Sequence, residues 1–166
     1  MSYKIDETNS LIHDEIEKFD FSNPPVDPLK LARDLGDALL STNGIGLSAN
    51  QVGLPYRAFV IKSNPVYVMF NPIIVHETED KEYMEEGCLS FPNLIIPIKR
   101  PKGIRIRFTL PNGKTTTEYF DGLTGRVIQH ETDHLNGITF IDRSTKYHLD
   151  KAKKHMKKKV YKKPLM

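Results

Sequence analysis

The chain has 166 residues, enough for one domain with a true core and too few for two of ordinary size. Apolar residues make up 39% and charged residues 27%, and no run of eighteen apolar residues occurs, which excludes a membrane-spanning helix. The formal net charge of +3 is unevenly placed: eight lysines lie within residues 151–163, so the rest of the chain carries about −5, and the basic feature is the tail and not the domain.

Residues 1–20 mix acids with a few apolar side chains. They have neither the apolar core of a secretion signal nor the Arg-rich, acid-poor character of a transit peptide, so a cytoplasmic location is expected. Asp27 and Pro28 read as an N-cap and first-turn proline. Leu31, Ala32, Leu35, Ala38, Leu39 and Thr42 then recur at helical spacing until Asn43 and Gly44. After a glycine-containing loop, residues 57–61 and 66–70 are β-branched and aromatic runs, parted by the turn residues Ser63, Asn64 and Pro65. Ile104, Ile106, Phe108 and Leu110 alternate with Arg105, Arg107 and Thr109. Asn112 and Gly113 then lead into residues 115–120, which predicts a hairpin with one buried face. Residues 122–135 form a second predicted helix, with Gly137 as its stop, followed by a strand over 138–141. A third amphipathic stretch, 149–163, places Leu149, Ala152, Met156 and Val160 on one side among the lysines. Strands and helices are segregated in runs, which predicts an α+β domain spanning 1–166, with a basic tail at 147–166.

The sharpest chemical feature is His130-Glu131-Thr132-Asp133-His134. Histidines at i and i+4 of a helix project to one side and can share a metal ion, leaving Glu131 beside a bound water. Two surface histidines on a solvated helix face are the plain alternative. A metal needs a further ligand. Downstream there are only His148, His155 and a few acids among lysines, whereas upstream lies Cys88, the single cysteine, which cannot form an internal disulfide. Considered alone, such a cysteine is more often a small buried residue. It stands in Glu86-Gly87-Cys88-Leu89-Ser90, a turn-like setting. The third element, residues 44–53, lacks the Lys-Ser/Thr ending of a phosphate loop and by itself reads as a helix cap and loop.

Taken together, GIGLSANQVG, EEGCLSFP and QHETDHLNG resemble the three signature motifs of peptide deformylases, in the family's order and at family-like separations; the resemblance runs over residues 44–143. It implies antiparallel sheets packed around a central helix that carries the His-Glu-x-x-His motif. It also implies one divalent ion, Fe(II) in the cell with Zn, Ni or Co substituting, held by Cys88, His130 and His134. Glu131 would take the proton of the attacking water and return it to the departing amine. Gln51 and the Leu89 backbone N–H would face the formyl oxygen. Ile45, Gly46 and Gly87 would line the peptide, and Val127 the methionine pocket. The substrate would be formylmethionyl nascent chains, the products formate and a free N-terminal methionine. A monomer is expected, with ribosome contact through the lysine-rich tail. Ser48 and Asn50 depart from the residues usual in the family, and the stretch before Gly44 lacks its usual opening. Two rival readings are a metalloprotease using the same helix, which the missing downstream ligand disfavours, and an inert metal-binding module, which Glu131 and Gln51 disfavour.

Overall fold

The structure is a computed structural model and describes residues 3–156 and 165–166. Helix α1, Pro28–Leu40, begins where Asp27 accepts a hydrogen bond from the Leu29 N–H at 2.9 Å, and ends at Ser41, before the Asn43-Gly44 pair. Its Leu31, Leu35, Ala38 and Leu39 form the buried stripe that the sequence spacing predicts.

Seven strands follow among the described residues: β1 Gly46–Ser48, β2 Ala58–Ile61, β3 Tyr67–Glu77, β4 Lys81–Cys88, β5 Phe91–Pro101, β6 Gly103–Thr109 and β7 Thr115–Asp121. Five of them make one antiparallel sheet in the order β1-β2-β3-β6-β7, and β4 and β5 make a separate antiparallel hairpin. The predicted β6–β7 hairpin is present. Gly113 sits in its turn at φ +88°, a conformation that costs glycine nothing. Strand β3 runs seven residues past the predicted stop at Phe70, with register shifts on either side of Ile73 and Ile74 that carry it past Pro72.

Helix α2, Gly122–Leu135, packs against the large sheet and is buried from Gly125 onward, which is the pattern of a core helix. Gly137, at φ +72°, stops it as expected. The strand expected over 138–141 is not formed. Thr139 and Asp142 instead close a capping box over a short helix α3, Phe140–Arg143, and Phe140 is buried with Cys88, Ile96 and Ile98. Helix α4, Lys146–Met156, packs on β5 through Leu149 and Ala152. The rest of the predicted tail helix lies outside the described residues.

The short β2, Ala-Phe-Val-Ile, is buried on both faces and joins the two larger cores. Phe59 and Ile61 face α2 together with Met69, Ile104, Ile106 and Phe108; Ala58 and Val60 face α1 together with Leu47 and Phe70. This alternation fixes β1 and the loop that follows it against α2.

Candidate metal centre and active site

Three segments far apart in sequence converge at one end of α2. The helix supplies His130 and His134 one turn apart, both on the same side. The β4–β5 hairpin brings Cys88 to the last position of β4. Cys88 pairs with Phe91 across a two-residue turn, Leu89 and Ser90, so the turn read from the sequence is the tip of a hairpin. One ligand atom from each of Cys88, His130 and His134 lies within 4.8 Å of the others, and all three residues are buried. Cys88 Sγ is 3.6 Å from His134 Nε2.

The donor set fits a divalent ion on two independent observations. His130 Nε2 and Glu131 Oε1 are buried side-chain atoms with no hydrogen-bond partner, an expensive state for protein alone. Meanwhile His130 Nδ1 is held at 2.9 Å by Glu86 Oε1, the arrangement in which a carboxylate orients one ring nitrogen and frees the other for a metal. Such an ion would polarise the bound carbonyl and acidify a water.

The electrostatics support a thiolate. Burial pushes the Cys88 thiol up, but the adjacent imidazoles of His134 and His130 outweigh it and bring the thiol to about 6. Burial alone would lower both histidines. Cys88 and Glu86 instead raise His130 to about 10, and Cys88 and Glu131 raise His134 to about 9. The same attraction works on Glu86, whose carboxyl burial would raise. Bonds from His130 and Arg100 hold it well below the usual carboxylate range.

Behind this layer lies a network that the sequence reading did not name. Arg100 clamps Glu86 through Nε at 2.7 Å and Nη2 at 3.0 Å, and Arg126 Nη1 reaches the same carboxylate at 2.9 Å. Arg100 Nη1 also binds Asp133 at 2.7 Å, and Arg143 binds Asp133 from the other side. Glu86 and Asp133 stand inside the quoted motifs, which was the available signal; Arg100 and Arg126 lie outside every motif and carried none.

Of the other expected site residues, Gln51 and Glu131 lie against the side chains of this cluster. Gln51 Nε2 donates to Ser90 Oγ at 3.1 Å and faces Cys88 Sγ at 3.6 Å, while its Oε1 accepts from the Ser48 N–H at 3.0 Å. Glu131 Oε2 lies 3.1 Å from His134 Nδ1, which Ser48 Oγ also approaches at 3.2 Å. Asn50 Nδ2 donates to the His134 carbonyl at 2.7 Å. Thus both residues that depart from the family's usual choice support a metal-ligand histidine. Gly46 packs so closely on α2 that a Cβ there would lie 2.7 Å from Glu131 Oε1 and 2.8 Å from Val127 Cγ1. Ile45 and Val127 share one apolar cluster, the Leu89 N–H donates to the Met166 backbone oxygen at 3.1 Å, and a Cβ on Gly87 would lie 2.6 Å from Leu165 Cδ2.

This α+β fold, with a cysteine and a His-Glu-x-x-His helix around an ion site, defines a metal-dependent hydrolase. A family model described as polypeptide deformylase matches residues 7–150. A peptide deformylase of Pseudothermotoga lettingae is 40% identical over 114 residues, covering 69% of this chain and 67% of that protein. One from Cytophaga hutchinsonii is 39% identical over 148 residues, covering 84% of this chain and 78% of that protein. The crystal structure of peptide deformylase from Thermotoga maritima matches with a TM-score of 0.74 at 33% identity, over 87% of this chain and 99% of that one. The chain belongs to the peptide deformylase family. Its reaction is hydrolysis of the N-formyl group from new polypeptides.

Proposed function

We propose that Glu131 moves the protons of this reaction while Gln51 and the Leu89 N–H stabilise the developing negative charge. The observation that carries this is the Glu131 Oε1 atom, buried, unpartnered and one residue from the metal ligand His130. A carboxylate so placed can accept a proton from an attacking water and return it to the leaving amine. Gln51, anchored by Ser48 and Ser90, keeps its amide donor beside Cys88, where a formyl oxygen would gain charge. Ile45, Gly46 and Gly87 line the peptide, and Val127 closes the apolar pocket for the methionine side chain.

Glu131→Gln tests the assignment, because the amide keeps size and polarity but cannot accept the proton. The variant should fold and bind its ion yet turn over formyl-Met peptide at least about 10²-fold more slowly. Near wild-type turnover would remove Glu131 from the role.

Residues 1–166 are read as one catalytic domain acting as a monomer in the cytoplasm, with Fe(II) as the resident ion and Zn, Ni or Co as substitutes. The chemistry of the donor set, one thiolate and two imidazoles, supports a borderline-soft divalent ion. The lysine-rich tail at 147–166 is read as a ribosome contact, since it concentrates positive charge on a chain whose remainder is acidic. Cosedimentation with ribosomes should fall when the tail lysines are changed to glutamine; unchanged cosedimentation ends the idea.

A further inference from the structure

Residues 165 and 166 of the chain lie in the substrate cleft. Leu165 forms a parallel bridge with Gly44, and its carbonyl accepts from the Ile45 N–H at 2.6 Å. The Met166 backbone oxygen accepts from the Leu89 N–H at 3.1 Å. The Met166 residue is only 4% exposed, inside the cluster that contains Ile45, Val127 and Ile128. Gly87 lies against this segment: a Cβ there would lie 2.6 Å from Leu165 Cδ2 and 2.8 Å from Ile95 Cδ1.

Resting on the deformylase reading, we infer that the Leu165-Met166 segment is a built-in competitor that occupies the methionine pocket and the oxyanion-binding N–H until a substrate displaces it. The two occupants claim the same groups. A formyl-Met peptide must place its formyl oxygen on the Leu89 N–H and its methionine among Ile45 and Val127. Substrate therefore runs from Leu89 outward past Ile45. The internal segment runs the other way, passing Ile45 at residue 165 and reaching Leu89 at residue 166. It offers a methionine side chain but no formyl amide, so it fills the cleft without being consumed. Because it is tethered, its effective concentration is set by the connecting residues and not by the protein concentration. The substrate's apparent affinity falls by the fraction of molecules in which the cleft is open.

The test compares the full chain with Met166→Asp, which places a charge where an apolar side chain was buried, and with a chain lacking residues 165–166. Two readouts are taken: steady-state kinetics on a formyl-Met peptide, and amide hydrogen exchange at Ile45 and Leu89 in the resting protein. The inference predicts a KM lower by about tenfold in both variants with kcat little changed, and loss of protection at both amides. It also predicts that the peptide Lys-Lys-Pro-Leu-Met, the sequence of residues 162–166, inhibits the shortened chain competitively and its Met-to-Asp version does not. Unchanged KM with unchanged protection overturns it. A raised KM with loss of folding cooperativity also overturns it, by making the segment a wall of the pocket. If no form releases formate, the deformylase reading fails, while amide protection and peptide binding still decide the occupancy.

Discussion

At the scale of single residues, the Glu86 carboxylate joins catalysis to stability. It orients His130 through Nδ1 and is itself held by Arg100 and Arg126, all buried. Removing its charge takes the carboxylate from Arg126 and leaves Arg100 with Asp133 alone, in a low-dielectric interior, so Glu86→Gln should destabilise the fold by ~3–5 kcal/mol. It should also weaken metal binding by about 10- to 100-fold through the misoriented imidazole. Denaturant unfolding and competition with a chelator measure the two effects separately; a stable variant with normal affinity would contradict the assignment. The ligands themselves set a pH dependence. With His130 raised to about 10 and His134 to about 9, both rings carry a proton at pH 7 to 8 in the metal-free site, whereas Cys88, lowered to about 6, does not. Metal uptake must then expel protons from the histidines, so apparent affinity rises with pH through this range. A pH-stat titration with a divalent ion reads this directly, and uptake without acid release would contradict it.

At the scale of elements, legibility followed the physics of each segment. Helix α2 could be read because its histidines recur at helical spacing and Gly137 punctuates its end, and the β6–β7 hairpin because alternation flanks an Asn-Gly pair. The β4–β5 hairpin was read only at its tip. Pro92, Pro97 and Pro101 argue against a strand in sequence, yet they are accommodated in β5, whose single strand partner among the described residues is β4. The strand expected over 138–141 failed because apolar residues in so short a run do not distinguish a strand from a helical turn, and the Thr139–Asp142 capping box decided the matter. Two element-level changes are informative. Asp27→Ala removes the α1 cap and should cost about 1 kcal/mol in urea unfolding while leaving turnover unchanged. Gly46→Ala drives a methyl group into Glu131 and Val127, so it should cost ~1–3 kcal/mol and lower activity as Glu131 is displaced. Unaltered activity in Gly46→Ala would mean that Glu131 has room to spare.

At the scale of the molecule, the site exists only when the β1 loop, the β4–β5 tip and α2 are folded together. Motif order in the sequence foretold that convergence, but the means of holding it was not legible. The arginines that lock β5 to α2 lie outside the motifs, and the cleft's internal occupant, residues 165–166, belongs to a tail read only as basic. This convergence builds the metal site of a family whose reaction is hydrolysis of a formyl amide. The most direct test is to purify the chain anaerobically, count bound metal, and follow formate release from formyl-Met-Ala-Ser beside its acetylated equivalent. About one ion per chain, held by three protein ligands, and rapid formate release with the acetylated peptide left intact are expected; a chain with its ion bound that releases no formate would not be a deformylase.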